Sequence, residues 1–307
     1  MPAIGQSPGR HGPAHSHGPG HRGPTQQRRL RFALAITAVF FVAEVAGGFV
    51  ANSLALLADA GHMFADVGAL ALSLFVVWFS RQPSAPEKTY GYLRWEILAA
   101  FLNGALLLLV SAGIVWEAVG RLRAPEPVAG GVMLAVAAGG LAVNAMAAWM
   151  LHPVRAQSLN ARGAYLHVLG DLLGSIGTVL AAVIVRTTGW LVADPIASLV
   201  VTVLVVRSAW QLVRESVDVL LEATPSHIAL GTVRARLEAV AGIESVHDLH
   251  VWTVTSGMIA MSAHAIVREP TVNQDVLESV VEEMRHLGIG HVTMQIERQE
   301  MCAEGHP

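Results

Sequence analysis

Six apolar stretches, at about residues 30–50, 54–79, 95–119, 128–151, 158–186 and 190–213, constrain this chain more than any other feature. Each is close to or above the ~20 residues that cross ~30 Å of hydrocarbon at a rise of ~1.5 Å per residue. Backbone N–H and C=O groups find no partners in lipid, so such segments fold as helices. The composition agrees. Mean hydropathy is +0.51, and 53% of residues are hydrophobic although only 6% are aromatic. Frequent glycine with few aromatics suits helices packed against one another in a bilayer. The single cysteine, Cys302, excludes a disulfide framework and any multi-cysteine zinc site.

The second stretch is not uniformly apolar. It carries Asp59, His62 and Asp66 in its first half, where ionisable groups are costly and tend to mark an ion or substrate path. His62 and Asp66 are four residues apart and share one helical face with Ala55, Ala58, Ala65, Ala69 and Ser73. A polar stripe among small side chains lets a second helix approach closely. The fifth stretch repeats the spacing with His167 and Asp171, and Gly163, Gly170, Gly174 and Gly177 lie on or beside that face. With 14 His and 7 Asp in 307 residues, chance predicts about 0.3 His-x-x-x-Asp pairs. The chain has two, both inside hydrophobic segments.

Two imidazoles and two carboxylates form an N2O2 set suited to tetrahedral Zn²⁺. Two Asp⁻, two neutral His and one dication sum to zero charge within the membrane. Without metal, neighbouring carboxylates in a low dielectric hold protons, and metal loading expels them because ligands bind deprotonated. An antiporter needs that coupling. The plainer role for the same residues is hydrogen-bonding glue between helices. Asp59, one turn nearer the start of its helix, is either a relay on an ion path or part of that glue.

Charge is split along the chain. Residues 1–213 hold 14 Lys and Arg against 9 Asp and Glu, whereas residues 214–307 hold 6 against 14. The division predicts a membrane half and an acidic soluble half. Residues 1–29 lack an apolar core, so they read as a disordered, cytosolic, His-rich tail rather than a secretory signal. Its His11, His15, His17 and His21 either bind metal weakly or are simply solvated. With the N-terminus inside, inner segments carry 12 Lys and Arg and outer loops carry only Arg121, Arg123 and Arg186. The positive-inside rule then places both termini in the cytoplasm. Within the spans, Glu44 reads as a packing residue or a cavity-lining one, and Asp194-Pro195 as a cap and first turn for the sixth helix.

From about residue 215 the pattern changes. Ser226 is a candidate cap for a helix to about Val240, and residues 245–255 and 258–267 alternate as strands joined by Ser256-Gly257. An amphipathic helix at 271–287 and a strand at 290–297 complete an αββαβ order, which implies a ferredoxin-like α/β domain at 214–300 followed by a tail at 301–307. His247, His250, His264 and Glu297 fall on predicted strands. They either converge on a cytosolic metal site or are surface groups of a half-solvated sheet.

At this level the chain resembles a cation diffusion facilitator, the family of zinc and related divalent-metal efflux transporters, nearest its cadmium–zinc–cobalt resistance branch. The stretches that carry the resemblance are SLALLADAGHMFAD, KTYGYLRWEILAAFLNG, HVLGDLLGSIG, GWLVADPIASLVV, RESVDVLLEATP, VHDLHVWTVTSG, SAH and HVTMQIE. It implies an α-helical membrane protein with a six-helix transport domain over 30–213, working as a homodimer that exports a dication in exchange for protons. It implies His62, Asp66, His167 and Asp171 as the transport site, and His247, His264 and Glu297 as ligands in the cytosolic domain. Zn²⁺ is then substrate and a candidate regulator, with no other cofactor and no nucleic-acid partner. Two departures are visible: Tyr92 and Leu93 stand where relatives with a site in the second loop place His, and Gln295 stands where some relatives place His.

Imidazole nitrogen favours Zn²⁺, Co²⁺, Cd²⁺ or Ni²⁺ over the harder Mn²⁺ and Mg²⁺, and tetrahedral geometry puts Zn²⁺ first. An intramembrane metalloenzyme would need three protein ligands, an open position and a general base, typically in a His-Glu-x-x-His helix that this chain lacks. A metal sensor that does not transport would account for the soluble half and leave the polar membrane stripe without a purpose.

Overall fold

The computed structural model describes residues 24–79, 88–152, 159–269 and 273–299. Six long helices come first: α1 (Pro24–Ala51), α2 (Leu54–Phe79), α3 (Trp95–Arg123), α4 (Gly130–Leu151), α5 (Leu159–Thr188) and α6 (Ala193–Leu220). Among the described residues, α1, α3, α4, α5 and α6 are long and apolar enough to cross a membrane. The bundle is inside-out relative to a soluble protein. Trp116, Trp149 and Leu109 are 84%, 76% and 71% exposed, as side chains bathed in lipid are, while much of the interior is alanine. One cluster joins Ala51, Ala55, Leu56, Met133, Ala137, Ala181 and Ala182; another joins Ala58, Leu107, Val201, Val205 and Ala209. Small side chains let helix backbones come close, and dispersion replaces the hydrophobic drive that lipid cannot supply.

The helices pair chiefly as α3 with α6, α4 with α5 and α1 with α2, and α2 also packs on α3 and α6. Glycine makes the closest approach possible. A Cβ on Gly47 of α1 would lie 2.7 Å from Val136 Cγ2 of α4, so α1 and α4 meet through a position that admits no side chain.

Two helix limits differ from the sequence expectation. Helix α1 begins at Pro24, inside the segment assigned to the tail, because proline is preorganised for the first turn and a helix need not stop where its apolar run does. Helix α6 continues to Leu220, past the expected boundary at 213, because its polar last turns can leave the hydrocarbon as helix. The tail at 1–23, with its four histidines, and residues 301–307 lie outside the described residues.

The C-terminal domain has α7 (Leu230–Glu238), β1 (Ser245–Thr255), β2 (Met258–Ile266), α8 (Asn273–His286) and β3 (His291–Glu297). The expected αββαβ order is present. The sheet order is β1-β2-β3, with β1–β2 antiparallel and β2–β3 parallel. The first helix is shorter than expected: it starts at Leu230 after Ala229, with no side-chain cap, so Ser226 does not serve that role. The hairpin turns at Ser256-Gly257, where Gly257 takes φ 79°, a conformation glycine adopts without penalty. Unlike the bundle, this domain has an ordinary aliphatic core. Val233, Leu237, Val246, Val251, Met261, Val276, Val280 and Met284 pack together, each large side chain contributing ~1.5–3 kcal/mol on burial.

The domain rests on the helix bundle at its hairpin. Glu96, in the first turn of α3, accepts the Thr255 hydroxyl at 2.6 Å and the Ser256 hydroxyl at 3.0 Å. Beside it Arg94 donates to Glu222 at 2.6 Å.

Candidate functional site

The duplicated spacing becomes a cross-helix cluster. Helix α2 presents His62 two turns inside its start, about 12 Å along the axis, and Asp66 one turn further. Helix α5 brings Asp171 opposite. His62 Nε2 lies 2.6 Å from Asp171 Oδ1, and the two side chains are 18% and 13% exposed. One ligand atom from each of His62, Asp66 and Asp171 falls within 4.8 Å of the others, close enough for a single ion to touch all three. His167 stands on α5 one turn before Asp171, but its side chain lies outside the described residues. Asp59 is buried on α2 at 6% exposure, one turn from His62 toward the helix start.

That start is held from a distance. Asp194 of α6, fully buried, accepts the Ser53 hydroxyl at 2.6 Å, the Leu54 N–H at 2.8 Å and the Ala55 N–H at 3.1 Å. Ser53 Oγ in turn accepts the Leu56 N–H at 3.2 Å. Asp194 therefore caps α2, not its own helix, which corrects the sequence reading: α6 carries no side-chain cap from Val192. A carboxylate at an N-terminus satisfies orphan donors and meets the positive end of the dipole. The same turn is gripped from α3, where Arg121 donates to the Asn52 carbonyl at 2.7 Å and to its side-chain oxygen at 2.8 Å. Asn52 sits at φ 51°, a region that asparagine tolerates. The helix carrying two of the clustered residues thus has a fixed starting point.

A second cluster lies in the C-terminal domain. His247 and His264 are register partners across β1 and β2, with ring centroids 5.3 Å apart. Glu297 comes from the end of β3, beside Ile266 of β2, and its carboxyl is completely buried. His247 Nε2 lies 3.3 Å from Glu297 Oε2 and His264 Nδ1 lies 3.1 Å from Oε1. His247 Nε2 is buried and faces Glu297 Oε2 without hydrogen-bond geometry. Gln295 donates to Glu297 Oε1 at 2.7 Å, so the residue that departs from some relatives orients a carboxylate.

Asp248 was not anticipated. The register shifts between His247 and His250, and Asp248 takes φ 48°. This bulge turns His250 onto the face that holds His264. Asp248 Oδ1 is 2.9 Å from His250 Nε2, and Oδ2 is 3.5 Å from His264 Nε2. The His-Asp-x-His run was in view in the sequence, but strict alternation places His247 and His250 on opposite faces.

Comparison with known proteins covers both halves of the chain. The model of the cation efflux transmembrane domain matches residues 30–221, and that of the cation efflux protein cytoplasmic domain matches residues 225–299. The chain belongs to the cation efflux family. Among its relatives, zinc transporter ZitB of Escherichia coli is 44% identical over 93% of this chain and 92% of its own length. The cadmium, cobalt and zinc/H(+)-K(+) antiporter of Bacillus subtilis is 39% identical over 92% of each chain. The metal cation efflux system protein CzcD of Cupriavidus metallidurans is 39% identical over 93% of this chain and 90% of its own. Membership in the cation efflux family makes this a multi-pass membrane transporter of metal cations, with the two matched regions corresponding to the bundle and the C-terminal domain.

Proposed function

We propose that the chain exports divalent cations, Zn²⁺ first with Cd²⁺ and Co²⁺ as further substrates, from the cytoplasm across the inner membrane in exchange for protons. The observation that carries this reading is the approach of His62, Asp66 and Asp171 from two helices inside an apolar bundle. His167, at the matching position on α5, is assigned as the fourth ligand. Four protein ligands of this kind close a tetrahedral shell, which favours Zn²⁺ and leaves no open position for a catalytic water. His62 and Asp171 lie at hydrogen-bond distance, so atoms that would hold a metal can also hold a proton. Metal and H⁺ therefore compete for the same atoms. Names of relatives that are antiporters or zinc transporters support both the coupling and the metal.

The transport unit is assigned to 30–220 and the acidic domain, with both termini, to the cytoplasm, in keeping with 12 inner against 3 outer basic residues. The protein is assigned as a homodimer, consistent with its match to a domain family named for dimerisation. His247, His264 and Glu297 form a second, regulatory Zn²⁺ site, with Asp248 and His250 beside it. The buried Nε2 of His247 without a hydrogen bond supports that use.

Zinc uptake into proteoliposomes, with and without an imposed pH gradient, tests the proposal. Gradient-driven accumulation is expected. Binding without flux would instead favour a sensor, and flux indifferent to pH would remove the antiport mechanism.

A further inference from the structure

Among the described residues of the bundle, Glu44 is a buried carboxyl that serves neither the metal centre nor a helix cap. It lies on α1, 1% exposed, and its Oε2 is enclosed with no hydrogen-bond partner. Its other oxygen is pressed against α4: a Cβ placed on Gly140 would lie 2.9 Å from Oε1 and 3.1 Å from the Phe40 ring. Gly140 is thus the notch that makes room for the carboxyl. Helix α4 contributes no Asp, Glu, His, Lys or Arg anywhere along its length. Helix α2, the other helix packed on α1, contributes three ionisable groups, Asp59, His62 and Asp66; Gly48 meets Leu57 and Phe41 meets Phe64 across that contact, which puts Glu44 close to the level of Asp59. Asp59 stands one turn before His62 on the same helix.

An ionised carboxylate with an unsatisfied oxygen, packed against a helix without charges and near the level of another buried carboxylate, is among the costliest groups a protein can bury. Structural glue does not fit it, because glue is hydrogen-bonded and Oε2 is not. A neutral carboxylic acid fits: Oε2–H needs no counter-charge, and the group can surrender that proton when the local charge changes. We infer that Glu44, at the α1–α4 contact beside Asp59, is a proton-binding site of the transport cycle distinct from the metal ligands. It takes up one H⁺ at Oε2 as metal leaves the cluster and releases it when the next dication arrives, with Asp59 carrying the electrostatic signal between them. The inference rests on the antiport reading given above and deepens it by naming a carrier.

Purified protein in proteoliposomes separates the two. Glu44→Gln keeps the shape and removes the titrating proton. It is expected to cut pH-gradient-driven zinc uptake at least tenfold while leaving exchange of radioactive for unlabelled zinc at equal pH within about twofold of wild type. Glu44→Asp is expected to recover part of the driven uptake. Gly140→Ala, which leaves the carboxyl in place but crowds it, is expected to shift the pH profile of transport, and this variant decides the matter should Glu44→Gln not fold. Driven uptake by Glu44→Gln at the wild-type rate overturns the inference alone, as does equal loss of driven uptake and exchange, or an unshifted profile in Gly140→Ala. Wild-type uptake that ignores the gradient overturns the antiport reading, and this inference with it.

Discussion

Asp194 on α6 accepts the Ser53 hydroxyl at 2.6 Å, joining residues that start two different membrane helices. The bond is one of three the carboxylate receives, with the Leu54 and Ala55 N–H groups, and all of them are buried. Capping alone contributes ~0.5–2 kcal/mol, and leaving buried donors unpaired adds ~1–3 kcal/mol. Asp194→Ala should therefore lower stability by about 2–4 kcal/mol, read as an earlier unfolding transition in detergent. Asp194→Asn retains one acceptor oxygen and should fall between. An unchanged transition in the alanine variant would show that the cap carries no stability.

Removing the two carboxylates of the central cluster tests the metal assignment directly. The double variant Asp66→Ala, Asp171→Ala leaves His62 and His167 without anionic partners, and a dication in a low dielectric requires them. Zinc flux should fall by at least tenfold in proteoliposomes, with the protein still eluting as a folded species. Native-rate flux would dismiss the cluster as the transport site.

Replacing a ligand instead of deleting it tests selectivity. His62→Asp exchanges imidazole nitrogen for carboxylate oxygen, which suits larger and harder ions better. In competition uptake the ranking should move toward Cd²⁺ and Mn²⁺ at the expense of Zn²⁺. The same ranking in both proteins would refute the argument from ligand type.

The C-terminal cluster makes its own prediction. Glu297 supplies both oxygens that face His247 and His264, so Glu297→Ala should lower zinc stoichiometry by one ion per chain while metal exchange at the membrane cluster persists. Because ligands bind deprotonated, zinc held there should be released as pH falls, which equilibrium dialysis at pH 8 and pH 6 can follow. Full stoichiometry in the variant would place the ion elsewhere.

Glu96→Ala should loosen the hairpin. Thr255 and Ser256 lose their shared acceptor, and the loss of ~1–2 kcal/mol corresponds to a factor of about 5–30 in opening. Hydrogen exchange of residues 255–258 should accelerate by that factor while the strand interior around Met261 is unaffected. No change in exchange would mean that the contact does not hold the turn.

Much of this was legible in the sequence because it follows from local periodicity. The long apolar runs gave the helices, the i, i+4 spacing placed His62 with Asp66, and alternation gave the three strands. What was not legible depends on long-range partners or on broken periodicity. Asp194 at the start of α6 carries the local signature of a self-cap, and nothing local says that another helix will claim it. Glu96 looks like an ordinary acid in a first turn until the hairpin arrives. The place of Asp248 beside His250 and His264 depends on one bulge residue, which an unbroken period of two does not show. Glu44 was ambiguous because its isolation shows only when the surrounding helices are in place.

The seat of the hairpin on α3 has a mechanical corollary. His247 and Thr255 stand eight residues apart on one strand, about 26 Å at strand rise, so the histidine cluster and the Glu96 contact occupy opposite ends of a stiff beam. A tilt of a few degrees about one end sweeps the other through about 2 Å, comparable to the length of a hydrogen bond. The tilt would be delivered to α3, and from it to α6 and to α2, the helix that carries His62 and Asp66. A change in the sheet would thus reach the bundle by leverage.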